Sequence, residues 1–271
     1  MSSPAAGPEV QQRTMKGVLL AVAVAVATIG MITVNGLANA LPINGQGTGE
    51  VTLRYDVYFI PAGYAFSIWS LIYLGLIGYT VYLAWAVFGN RSAETALAIA
   101  PWYLLTAVAN ASWLLAWHYN QFPLSMVLMV VLLVALIVIY RMLAVRPAAS
   151  RLELWTVHIP FRVYLGWISV ATIANATITL DDAGWNGFGI AEPTWGVIMI
   201  LVATALGLVM SFMYSDIAYA AVIVWALVAV AIRLSDTTSI FVTALAGAVV
   251  LTGVAVVNAL RRRKVPAKVM V

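Results

Sequence analysis

The stretch Pro160 to Leu180, PFRVYLGWISVATIANATITL, is one apolar run, yet one of its helical faces carries Tyr164, Trp167, Ala171 and Asn175. At 3.6 residues per turn these four fall on a single stripe. Hydrocarbon offers no water to a polar group, so aromatic rings and an amide on a membrane helix face protein or a ligand rather than lipid. The run predicts a spanning helix with a polar, aromatic interior beside it.

The rest of the chain agrees. Hydrophobic residues make up 63% of the 271 residues and charged residues 9%, with mean hydropathy +0.98, against about 25% charge in soluble domains. Apolar runs long enough to cross about 30 Å of hydrocarbon as helices lie at Met15–Ala40, Ala62–Phe88, Ala96–Trp117, Phe122–Ala144, Val157–Leu180, Thr194–Tyr214, Ile217–Leu234 and Thr237–Leu260. The tightest divisions are the Ser215–Asp216 and Ser235–Asp236 turns. The alternating ten-residue segments of a membrane barrel are missing. The fold class is therefore an all-α integral membrane protein with about eight transmembrane helices.

With eight spans the two termini share a side, and that side collects Arg13, Lys16, Arg91, Arg141, Arg146, Arg151, Arg261, Arg262, Arg263, Lys264 and Lys268. The other side has Arg54 and Arg233. The asymmetry predicts cytoplasmic termini in a plasma (inner) membrane. The net charge of +4 then reflects orientation, and no nucleic-acid partner is expected. The Arg261–Lys264 cluster reads as a flank that fixes the last helix, with contact to anionic lipid as the alternative. Residues 1–14 read as a disordered tail and 261–271 as a basic tail. Ala38-Asn39-Ala40 has the pattern of a signal-peptidase site, but the preceding run is long for a signal core and reads as an uncleaved first helix. Without cysteine there are no disulfides and no thiolate chemistry.

Several functions lack their equipment. A retinal Schiff base needs an intramembrane lysine, and Lys16, Lys264 and Lys268 all lie at or beyond helix ends. His118 and His158 fall at opposite ends of their helices, so they cannot share a haem iron. The carboxylates Asp56, Asp181, Asp182, Glu192, Asp216 and Asp236 sit in loops or at helix ends, unlike those of a proton relay. Phosphate loops, HExxH and nucleophile elbows are absent. An enzyme is the less favoured class, and no cofactor is expected beyond a tetrapyrrole as ligand.

Two further stripes accompany the first. Phe66, Trp69 and Tyr73 share a face in the second span, and Trp102, Thr106, Asn110, Trp113 and Trp117 share one in the third. Trp102, Trp117, Trp155 and Trp195, near helix ends, read as an interfacial belt. For Asn110 and Asn175 taken singly, interhelical hydrogen bonding is the simpler role. Convergence of the stripes points to one pocket lined by Trp69, Tyr73, Asn110, Trp113, Trp167, Ala171 and Asn175. Arg162 lies about 140° from Trp167 around the helix, which predicts a structural role against the last three helices.

Three segments carry a resemblance. Trp69-Ser-Leu-Ile-Tyr73 resembles the W-x-x-L-Y of the TspO/MBR tryptophan-rich sensory proteins, with Ile72 for the leucine and a Tyr-x-x-Trp ending at Trp85. Asn110-Ala-Ser-Trp113 resembles the family's N-x-x-W, and Trp167-Ile-Ser-Val-Ala171-Thr172-Ile-Ala-Asn175 is similar to its W-x-x-F-A-T-x-L-N. The resemblance covers residues 15–180 and implies a five-helix bundle whose pocket, closed by the first loop, binds porphyrins or other flat apolar molecules. The chain departs from the pattern in places. The W-x-P-P before the second helix is only Ile60-Pro61-Ala62, the Trp-Arg-Asp after the fifth is reduced to Asp181, and spacing after Tyr73 shifts by a residue. Residues 181–260 add an outer loop and three helices, as in a longer branch of the family.

The first loop, Leu41–Ile60, passes from NGQGTGE to VTLRYDVYFI, whose partial alternation suits either an apolar-in lid or an exposed hairpin. Asp181–Pro193, with Trp185 and Phe188, forms the other rim. The chain reads as a membrane-embedded binding or sensory protein for a hydrophobic, tetrapyrrole- or sterol-like ligand, with lipid contact and a possible homodimer. The alternatives are a transporter of a lipid-like or porphyrin substrate and a weak ligand-degrading enzyme.

Overall fold

The structure, a computed structural model, describes residues 14–41, 43–55 and 57–264. The expected tail 1–14 lies outside the described residues except for Thr14, and of the basic tail 261–271 the first four residues, Arg261–Lys264, continue α10 while the rest lie outside them. Ten helices follow in order: α1 (Met15–Ala40), α2 (Thr48–Leu53), α3 (Ile68–Phe88), α4 (Glu94–His118), α5 (Phe122–Ala144), α6 (Arg151–Glu153), α7 (Ile159–Asp182), α8 (Glu192–Tyr214), α9 (Ile217–Arg233) and α10 (Thr238–Lys264). A π-helical turn, Leu154–His158, fuses α6 to α7 in one rod from Arg151 to Asp182. Pro160 supplies the reason for the irregularity, since its ring nitrogen cannot donate to the preceding turn and the wider turn relieves its clash. No strand occurs among the described residues.

Seven of these helices are long and apolar enough to cross a membrane, counting the rod as one. The eighth, α9, has 17 residues, which span about 25 Å and sit at the short limit for crossing. Its contacts show that it reaches both ends of the bundle. Asp216 at its start meets Tyr140 and Arg162 near the ends of α5 and the rod that adjoin the chain termini, while Ala229 accepts from Ala62 N–H at 3.1 Å beside the first loop. The eight expected spans are thus present, each within a few residues of its sequence bounds.

The helices pack as two groups. In one, α1 lies against α3 and α4, α4 against α5, and α5 against α7; in the other, α8, α9 and α10 pack together, and α7 joins the two through α9. The rod is the most enclosed element, whereas α1, α8 and α10 leave most of their surface for lipid. At one crossing, α3 approaches so closely that a Cβ on Gly75 would stand 2.8 Å from Pro160 Cβ.

Within hydrocarbon the apolar effect does not hold helices together, so packing and buried polar contacts must. Thr28 on α1 pairs with Thr80 on α3 at 2.8 Å and with Tyr103 on α4 at 2.6 Å. One turn or two further along, Asn35 donates to Asn110 Oδ1 at 2.8 Å. The Ser215–Asp216 turn closes the other group. Ser215 takes a left-handed backbone (φ 51) that ends α8, and Asp216 caps α9 by accepting from Tyr219 N–H at 3.0 Å.

The Asp216 carboxylate, fully buried, also accepts from the Tyr140 hydroxyl at 2.8 Å and lies 3.5 Å from Arg162 Nε. Arg162 therefore joins the rod to the last three helices, as its position off the tryptophan stripe predicts. Tyr219 adds a second tie, its hydroxyl 2.9 Å from Ser169 Oγ on α7.

Candidate functional site

Where the three stripes converge, the rings form a stack. Tyr73, Trp69, Trp113 and Trp117 follow one another with centroids 5.5, 6.4 and 5.9 Å apart and planes within 27° of parallel. Trp167 meets Trp69 edge-on at 6.5 Å, and Phe66 meets Trp167 edge-on at 5.7 Å. Offset stacks and edge contacts at these separations are favourable for quadrupolar rings. Helical spacing alone puts these side chains in register, because residues three to four apart share a face.

A cavity opens beside the stack, lined among others by Trp69, Trp113, Trp167, Ala171 and Asn175. Five of the seven residues expected to line one pocket thus do so, and two do not. Tyr73 backs the wall by stacking on Trp69. Asn110 is buried one layer deeper, where its side-chain oxygen accepts from Asn35. Asn175 both lines the cavity and ties helices, accepting from Trp113 Nε1 at 3.2 Å and donating to Ser125 Oγ on α5 at 3.0 Å.

Sequence reading placed Trp117 in the interfacial belt, but it is 4% exposed and closes the stack against Phe122. The signal was available, since Trp117 follows Trp113 by one turn on the same face. Trp155 alone of the four is strongly exposed, at 68%. Thr48 and Thr52 of the first loop and Pro61 just after it also line the cavity; the resemblance implied closure by that loop but not which of its residues.

That loop is a lid, though not of the kind its alternation suggests. Residues Thr48–Leu53 are helical, capped where Glu50 Oε2 accepts from Gly47 N–H at 2.8 Å. Its anchor is His118, the last residue of α4. The His118 carbonyl accepts from Gln46 Nε2 at 2.6 Å and Asn44 Nδ2 at 3.0 Å, and its ring Nε2 lies 2.8 Å from Thr48 Oγ1. Arg54 donates to Asn120 Oδ1 at 2.8 Å and the Tyr55 hydroxyl donates to Asp182 Oδ1 at 2.9 Å. Burial, and then this bond to Asp182, push the Tyr55 hydroxyl up to about 12. The far end of the lid meets the C-terminal group, with Gly196 of α8 so close to Tyr58 that any Cβ there would overlap it, and just beyond the lid Trp225 Nε1 donates to Ala65 O at 3.1 Å.

With the lid down the cavity holds about 40 Å³, room for a little water but far below the roughly 300–1,000 Å³ of small-molecule sites. Two of its walls nevertheless present buried donors without acceptors among the described residues, the indole nitrogens of Trp117 and Trp167. A buried donor left unpaired costs roughly 1–3 kcal/mol, so the two on the cavity walls are a pair that a ligand with acceptor atoms would satisfy.

An all-helical bundle of apolar spans, with an aromatic cavity between α3, α4 and α7 under a tethered loop, defines a multi-pass membrane protein. The chain matches the family model described as TSPO-like protein over residues 21–257, and it belongs to that family. Membership carries a membrane ligand-binding or sensory role. The match continues through α8 and α9 and into α10, well past the five helices that carry the motifs. No curated protein and no solved structure matches the chain.

Proposed function

We propose that the cavity beneath the first loop binds a flat, apolar molecule bearing hydrogen-bond acceptors, of tetrapyrrole type, and that occupancy is read as a sensory signal. The observation that carries this reading is the pair of unpartnered donors on Trp117 and Trp167 beside four stacked rings. Parallel aromatic walls suit a planar ring system, and carboxylate or carbonyl oxygens on that ring would accept the orphaned N–H groups. A sterol-like body is the less suited of the two, with a single polar end for two donors on separate walls.

Admission requires the lid to lift, because the closed cavity is an order of magnitude too small. The output then follows naturally, since a ligand that holds the lid away from His118 and α8 changes the surface on that side of the membrane. The same reading sets the chain in the plasma membrane with both termini cytoplasmic, on the strength of the basic residues gathered at that end.

The test is protoporphyrin IX titrated against purified protein in detergent, followed by tryptophan fluorescence. Wild type should quench at micromolar concentration, and Ala171→Phe, which fills the cavity from the rod, should weaken binding at least tenfold while the protein stays folded. Absence of quenching together with a neutral Ala171→Phe would reduce the stack to helix packing. Flux of the porphyrin across proteoliposomes would add transport to binding.

A further inference from the structure

A second, larger cavity lies on the other side of the lid segment, between α7 and α8. It holds about 480 Å³, within the range of small-molecule sites. Its walls are Tyr58 and Phe59 of the first loop, Leu180 and Asp181 at the end of α7, and Trp185, Glu192 and Trp195 of the second loop and the start of α8. It shares no lining residue with the tryptophan cavity.

The charges here are one-sided. Asp181 and Glu192 both line the cavity, and none of the described residues lining it is basic. The two arginines at this end of the bundle stand elsewhere: Arg54 is bonded to Asn120, and Arg233 ends α9. Glu192, in the first turn of α8, is favoured by the helix dipole whether or not a ligand is present. Asp181 is not, because it sits in the last turn of α7 where the dipole is already negative. Its neighbour Asp182 takes the Tyr55 hydroxyl, but Asp181 has no side-chain hydrogen bond or ion pair among the described residues. Asp181 and Glu192 are both exposed, so water solvates them, and what they add to the cavity is a negative field at one side of an aromatic wall, which favours a cation there.

The aromatic wall is built in advance. Trp195 donates to Gly187 O at 2.9 Å, Asn186 Oδ1 accepts from Phe188 N–H at 3.1 Å, and Trp185 packs on Trp195 at 5.1 Å. The loop thus fixes both indoles before any ligand arrives, which removes part of the ordering cost of binding. Indole faces beside carboxylates attract an ammonium or phosphonium group twice over, through charge and through the ring quadrupole.

We infer that this outer cavity binds lipophilic monovalent cations, an amine, quaternary ammonium or phosphonium carrying an apolar body. The cationic centre sits by Asp181 and Glu192, and the body fills the space against Tyr58, Trp185 and Trp195. Because Tyr58 and Phe59 belong to the lid, an occupant here also braces the loop that covers the tryptophan cavity.

The experiment compares two probes of one shape and opposite charge, tetraphenylphosphonium and tetraphenylborate, by equilibrium dialysis against the full chain in detergent, with protein-free micelles as the blank. The protein should retain the cation in excess of micelles and not the anion. The double variant Asp181→Asn, Glu192→Gln should lose about tenfold in affinity for the cation, whereas Ala171→Phe, in the other cavity, should leave it unchanged. Equal retention of the two ions by wild type, which needs no variant to fold, would overturn the proposal. So would undiminished cation binding by the double variant.

Discussion

At the scale of single residues, the polar side chains of the bundle divide into those that tie helices and those left waiting for a partner. Asn175 is the busiest tie, and Asn175→Leu should remove its bonds to Trp113 and Ser125. The cost in thermal stability should be about 1–2 kcal/mol, the scale of a polar contact within a bilayer, read from melting in detergent. Arg162→Gln should cost about 2 kcal/mol. That is less than the 3–5 of a fully orphaned buried charge, because Tyr140 and Tyr219 still serve Asp216. Porphyrin affinity should be untouched, and its loss with intact stability would move Arg162 into the binding machinery. The roles of Arg162 and Asn175 were legible from helical position alone, since an angle of about 140° from the tryptophan face is fixed by geometry. Asn110 was not, because depth along the radius of a bundle depends on which neighbour, here Asn35, reaches it first.

At the scale of elements, the lid decides whether the tryptophan cavity exists as a site. Gln46→Leu removes two of the bonds that hold the loop to His118 and Asn120, and porphyrin association in stopped-flow fluorescence should quicken several-fold if loop opening limits access. An unchanged rate would mean that the ligand enters another way. The Tyr55 tether carries a pH signature. A phenol whose pKa is raised in the folded protein contributes fully below its usual value near 10, and that contribution fades as pH climbs through about 12. Across neutral pH the tether is therefore constant, and association rates should show no Tyr55-dependent change between pH 6 and 9. The sequence misled here for a physical reason. VTLRYDVYFI alternates as a strand would, but one loop has no second strand to pair with, and a capped helical turn satisfies its backbone instead. The volume of the cavity was illegible for a similar reason, since stripes specify which faces meet and not how tightly rings close on one another.

At the scale of the whole molecule, eight spans were legible because twenty apolar residues in sequence have one use in a bilayer, and the family match through residue 257 joins the last helices to the first five. Single cysteines placed at Gln46 and Ser150 of this cysteine-free chain should label from opposite sides of the membrane, with Ser150 cytoplasmic; labelling from one side would remove one of α3, α4 and α5 as a span and end the eight-span topology. What no run of apolar residues discloses is the traffic between the two groups, through Arg162 to Asp216 and through Ala229 and Trp225 to the segment just beyond the lid. That first link also sets an order of events during synthesis. Arg162 enters the bilayer with the rod, yet the carboxylate that neutralises it emerges only after a loop and the whole of α8 have followed. A chain that lacks α9 therefore lacks the carboxylate that pairs with Arg162 within the bundle.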